Sequence, residues 1–121
     1  MSSLLAKFFV PVAIESEANR REHWAARYRR SKRQRKAVAL LFPFEARQWL
    51  RGYRTVEVLL VRHGSKALDS DNLAGGLKAV RDEVAKQLGE KNDASARYVW
   101  RYDQVVGVDP GVQIIITKGV A

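Results

Sequence analysis

The sequence predicts an α+β fold, a single domain in which helices pack on a mixed β-sheet. Three observations predict it. Apolar, β-branched runs recur at Lys7–Ile14, Thr55–His63 and Val112–Thr117, and a weaker alternation covers Arg97–Val106. Two long segments without strand character separate the first three runs. Proline and glycine then mark the joins, giving the order β-α-β-α-β-β. The chain has 121 residues, enough for one core and too few for two.

Each element has a local reason. Lys7–Ile14 (KFFVPVAI) reads as a first strand, and Pro11 places it at a sheet edge or a bulge because proline has no amide to donate. Asn19-Arg20-Arg21-Glu22 has the form of a capping box, so a helix is expected from about Arg20 to Leu41, ended by Pro43. Thr55–His63 (TVEVLLVRH) is the expected central strand. Ser70 or Asp71 opens a second helix that runs to Leu88 and stops at Gly89. Arg97–Val106 and Val112–Thr117 form the last two strands, joined by a turn at Asp109-Pro110-Gly111.

Composition narrows the function. Twenty-two Lys and Arg face thirteen Asp and Glu, a formal net charge of +9. That excess favours a polyanionic partner, because each phosphate neutralised releases a counterion. A ribosomal or membrane-surface protein shares the same balance. With no cysteine, disulfides, thiolate metal sites and cysteine nucleophiles are excluded. The start, MSSLLAK, lacks the apolar core of a signal peptide and no run is long enough to span a bilayer. A soluble, cytoplasmic protein without membrane association is expected.

Against this basic background the acids at Leu68-Asp69-Ser70-Asp71-Asn72-Leu73 stand out. On an unbroken helix, Leu73, Leu77, Val80, Val84 and Leu88 share one side. Asp71, Lys78 and Asp82 fall within roughly 20° of one another on the other side. Asp69 precedes the helix and is placed to join Asp71 around one cation, with Asp93 in the following loop as a further ligand. Mg²⁺, or Mn²⁺ in its place, takes oxygen donors and keeps several waters, so two or three carboxylates and a substrate phosphate suffice. The same residues also have a structural reading. Asp-Ser-Asp-Asn is an ordinary N-terminal capping segment, and Lys78 with Asp82 is an ordinary surface pair. Spacing leaves both readings open.

The first helix carries the opposite charge. Arg20, Arg21, Arg27, Arg29, Arg30, Lys32, Arg33, Arg35 and Lys36 point in nearly every direction round its axis, with Glu22 the one acid among them. Such a rod repels itself unless phosphates neutralise it. Trp24 and Tyr28, one turn apart, either stack on a partner or are simply buried beneath a solvated face. Contacts to a phosphate backbone would position the protein without reading sequence. His23 and His63 are lone histidines with no ligand partner at suitable spacing, and no chemistry is assigned to them. Gly75-Gly76 does not follow a strand, so it is no phosphate loop. A close backbone approach, to a partner subunit or to DNA, is expected there instead. Trp100 and Tyr102 alternate in a strand and are expected in the core or an interface.

Together these residues resemble the RusA family of Holliday-junction resolvases, common in phages and prophages. The resemblance rests on Asp69-Ser70-Asp71-Asn72-Leu73, Leu77-Lys78-Ala79-Val80-Arg81-Asp82, the acidic loop at Asp93 and Trp100-Arg101-Tyr102. It extends to Asn19-Arg20-Arg21-Glu22-His23-Trp24-Ala25 with its basic continuation. It implies a Mg²⁺-dependent homodimer that makes paired nicks in four-way DNA, with Asp69, Asp71 and Asp93 holding metal and Lys78 assisting at the phosphate. Asp82 is a second-tier acid. No small-molecule cofactor is implied. In that family the lysine commonly lies four residues after the second aspartate, a position held here by Gly75. Reading Ala74-Gly75-Gly76 as an insertion of nearly one helical turn restores Lys78 to the same face. The rival readings are a non-catalytic basic DNA-binding module and an RNA- or ribosome-associated protein.

Overall fold

The computed structural model describes residues 4–16, 24–46, 55–89 and 97–119. Four strands form one sheet: β1 (Leu4–Val10), β2 (Val56–Gly64), β3 (Tyr98–Val106) and β4 (Gly111–Lys118), in the spatial order β1-β4-β2-β3. Its pairings are antiparallel except for β2 with β3, which run parallel. A parallel pair needs a crossover, and two helices supply it: α2 (Ser70–Gly76) and α3 (Lys78–Gln87). A longer helix, α1 (Trp24–Leu41), precedes β2. The α+β class and the mixed sheet are those the sequence predicts.

The three helices among the described residues lie on one face of the sheet. The buried side chains of β2 alternate strictly, with Val56, Val58 and Leu60 directed to the same side as Val112, Ile114 and Ile116 of β4. Val38 and Phe42 at the end of α1 pack on them, as do Leu73, Leu77, Val80, Val84 and Leu88 from the crossover. The predicted apolar stripe of the second helical segment is therefore its docking face.

Two boundaries differ from expectation, each for a physical reason. The first strand is Leu4–Val10 rather than Lys7–Ile14. It is an edge strand, and Pro11, with no amide to pair, follows its last residue. Residues 11–16 are irregular, and the apolar run through residues 11–14 reflects the burial of Ile14 in the core rather than strand.

The second expected helix is two helices, broken at Leu77 (φ −90°, ψ 1°). Gly75 and Gly76, weak helix formers, precede the break. A Cβ at Gly76 would stand 2.6 Å from the Glu15 carbonyl oxygen. A close backbone approach of the kind expected at Gly75-Gly76 is made within the chain, at Gly76, while the space beside Gly75 is open. Hydrogen bonds bridge the kink, Leu77 N–H donating to Leu73 O at 3.1 Å and Arg81 N–H to Leu77 O at 2.9 Å. At the β3–β4 join the chain reverses through Gly107, whose φ of +82° explains the glycine. Gly111 opens β4 beneath the ring of Phe9. The capping box at 19–22 lies outside the described residues.

Candidate nucleic-acid interface

Helix α1 touches the fold along a narrow line. Gln34 and Val38 are its buried residues, and Gln34 Nε2 donates to the Ala13 carbonyl at 3.3 Å. Arg27, Arg29, Lys32, Arg33 and Lys36 are exposed, and Arg30 and Arg35 are half-buried. The cationic rod is thus a solvent-facing surface. Arg20 and Arg21 lie outside the described residues. Trp24 is 73% exposed and Tyr28 59%, so the alternative in which both are buried does not hold. Lys32 Nζ lies 5.9 Å from the centre of the Tyr28 ring, a cation–π contact on the same surface.

One end of α1 faces the start of α3 across a groove of about 250 Å³. Arg27, Gln34 and Arg35 line one wall; Gly75, Gly76, Lys78 and Asp82 line the other. Three cations therefore converge on a hollow that holds one acid. Lys78 Nζ binds Asp82 Oδ1 at 2.8 Å, both partly exposed, so the pair contributes little to stability and serves chiefly to hold the ammonium at the rim. Beneath this wall Arg35 Nε donates to Glu83 Oε1 at 3.0 Å. Gln87 Nε2 donates to Glu83 Oε2 at 2.7 Å. Glu83 is 4% exposed, and its carboxylate ties α1 to α3.

The acidic segment sits at the start of α2. Asp69 caps that helix: Oδ1 accepts from Asn72 N–H at 2.9 Å and Oδ2 from Asn72 Nδ2 at 3.1 Å. The structural reading of Asp69 is therefore realised. It does not consume the carboxylate, since each oxygen accepts one bond here and has capacity for another. Asp71, in the first turn, is exposed. The predicted alignment of Asp71 with Lys78 and Asp82 assumed an unbroken helix; a break at Leu77 lies between them, and Lys78 and Asp82 line the groove while Asp71 is not part of its lining. Asp93 lies outside the described residues. Among the described residues no group of three or more Asp, Glu, His or Cys gathers as a metal cage. Asp69 and Asp71 offer hard oxygen donors open to water, which suits a Mg²⁺ completed by water and phosphate rather than an all-protein cage.

The loop that carries these acids is fastened from below. Arg62 of β2 is 6% exposed; its Nε donates to the Ile14 carbonyl at 2.9 Å and its Nη1 to the Lys66 carbonyl at 2.7 Å. Gln104 of β3 accepts from Leu68 N–H at 3.0 Å and donates to Leu68 O at 2.7 Å, so it grips Leu68 like a neighbouring strand. Arg62 Nη1 also reaches Gln104 Oε1 at 3.4 Å. Gly64 makes room for the guanidinium, for a Cβ there would stand 2.6 Å from Arg62 Nη2. Arg81 stacks 4.8 Å over the Trp100 ring and donates to the Tyr102 hydroxyl, joining α3 to β3. Trp100 and Tyr102 are half-buried against the core. The ring of His63 rests on Phe9 at 5.2 Å, on the sheet face away from the helices.

Arg62, Gln104 and Glu83 were not singled out from the sequence. A signal existed for Arg62: in the alternation Val56, Val58, Leu60, Arg62 it is the one charged residue at an inward position. Nothing comparable marks Gln104, whose role depends on a loop distant in sequence. No helix among the described residues is long and apolar enough to cross a membrane. No protein-family model matches the chain, and neither does any curated protein.

Proposed function

We propose that the protein is a Mg²⁺-dependent endodeoxyribonuclease that resolves four-way DNA junctions by paired phosphodiester hydrolysis, acting as a homodimer in the cytoplasm of a bacterial host of phage or prophage. The observation that carries this reading is the bolted acidic loop. A buried arginine is costly to desolvate, and here two side chains, Arg62 and Gln104, hold Lys66 and Leu68 in the loop that leads directly into the exposed Asp69 and Asp71. Rigid support for solvent-facing carboxylates suits residues whose position matters to chemistry.

The chain's own residues divide the work. The exposed cations of α1 hold the sugar–phosphate backbone, with Trp24 and Tyr28 available to stack on unpaired bases at a branch. Arg27, Arg35 and Lys78 hold a neighbouring phosphate of the same backbone in the groove, with Lys78 kept at its rim by Asp82. Asp69 and Asp71, with Asp93, hold the metal. The chemistry supplied there by a bound Mg²⁺ would be neutralisation of phosphate charge and activation of a water.

A nicking assay on a synthetic four-way junction, with and without Mg²⁺, tests this. Wild type nicks only with the metal. Asp71→Asn abolishes nicking yet binds the junction as well as or better than wild type, since it removes negative charge near DNA. Unchanged cleavage by that variant refutes the assignment. A second reading, a DNA-binding module without catalysis, is favoured by the cap that Asp69 forms on Asn72; it predicts binding and no nicking under any metal.

A further inference from the structure

Strand β3 ends the sheet, with no strand beyond it among the described residues. Its register with β2 tells which backbone groups face outward. Arg97 O accepts from Val56 N–H at 2.9 Å and Gly107 N–H donates to Gly64 O at 2.8 Å, so the odd-numbered residues address β2. Tyr102 and Gln104 turn theirs to the open edge. The strand is nine residues long without proline or glycine. On the face away from the helices it presents Val99 at 38% and Val105 at 42% exposure. A long, partly apolar edge of this kind is a template for pairing with another chain.

We propose that β3 is the contact of a symmetric homodimer, paired antiparallel with β3 of a second copy about a twofold axis at Tyr102. Charge complementarity selects that register. A twofold perpendicular to the sheet keeps each side chain on its own face, so the axis falls at one residue. At Tyr102 it sets Arg101 opposite Asp103 of the second copy, twice, and Val99 opposite Val105. At Asp103 it would oppose two aspartates, and at Arg101 two arginines. Cross-strand pairs of opposite charge stabilise a ladder and like pairs oppose it. Glu57 Oε1 already lies 3.3 Å from Arg101 Nη2, so the pairing extends an existing ion pair. Asp103 Oδ1 accepts from the Gln104 amide at 2.8 Å; in the dimer that outward amide donates across the new ladder and the carboxylate turns to arginine. The result is one sheet of eight strands with the described helices on one face.

This contact supplies the pairing that the nuclease reading invokes, but it stands without DNA or metal. Sedimentation of the full chain over a range of concentrations, with folding checked by circular dichroism, tests it. Wild type is expected to be a dimer, Arg101→Asp and Asp103→Arg each to weaken it about tenfold, and the double reversal to restore it. The chain has no cysteine, so Tyr102→Cys gives a single thiol that is expected to form a disulfide-linked dimer on oxidation, the facing Cα atoms being about 5.5 Å apart. A monomeric wild type, single reversals as tight as wild type, a double reversal as weak as the singles, or an uncrosslinked Tyr102→Cys protein would each overturn the proposal. A dimer that passes and nicks no junction leaves this contact intact and removes only the nuclease reading.

Discussion

Asp69 has two separable duties, and a conservative substitution divides them. Asp69→Asn keeps an oxygen for the Asn72 amide and so preserves the cap at 2.9 Å. Its stability is expected to fall by no more than about 0.5 kcal/mol, whereas Asp69→Ala should lose about 1 kcal/mol, both read from urea unfolding. If Asp69 holds metal, the asparagine variant also loses nicking despite its stability; a variant that nicks normally leaves Asp69 as a cap alone. Arg62 is the most consequential single residue outside this segment. Arg62→Met leaves the Ile14 and Lys66 carbonyls without their donor, and a loss of about 2–4 kcal/mol is expected in the same measurement. A loss below about 1 kcal/mol would mean that water replaces the guanidinium easily.

The crossover is the element whose details control the site. Lys78 and Asp82, after the break at Leu77, line the groove, and Asp71, before it, does not. Gly75 and Gly76 look alike in the sequence but differ in space. Nothing lies within 4 Å of a Cβ at Gly75, so Gly75→Ala should stabilise the protein by about 0.5–1 kcal/mol through helix propensity. Gly76→Ala would push a methyl group against the Glu15 carbonyl and is expected to cost about 1–3 kcal/mol. Thermal unfolding of the pair, shifting in opposite directions, checks both. Equal shifts would mean that the 11–16 segment yields to the added methyl group. Much of this element was legible beforehand: its start at Ser70, its stop at Gly89 and its buried stripe follow from capping and period. The kink was not, because the position of Glu15 against Gly76 is set by packing between segments distant in the chain.

For the whole molecule, the separation of charge is the governing fact. A chain of net charge +9 places most of the described cations of α1 in solvent, and DNA affinity should fall steeply with salt. Neutralising Arg27, Lys32 or Arg33 should reduce the slope of log K against log salt by about 1 each if each contacts a phosphate, measured by fluorescence anisotropy on junction and duplex DNA. An unchanged slope would place the backbone elsewhere on the surface. The α+β class, the strand order along the chain, the buried helical stripe and the cationic α1 all come from local pattern, because period and charge are properties of neighbouring residues. Spatial strand order, the union of Arg62 and Gln104 around residues 66–68, and the groove between α1 and α3 come from packing. They join residues dozens of positions apart, and no short window of sequence encodes which distant carbonyl a buried side chain will meet.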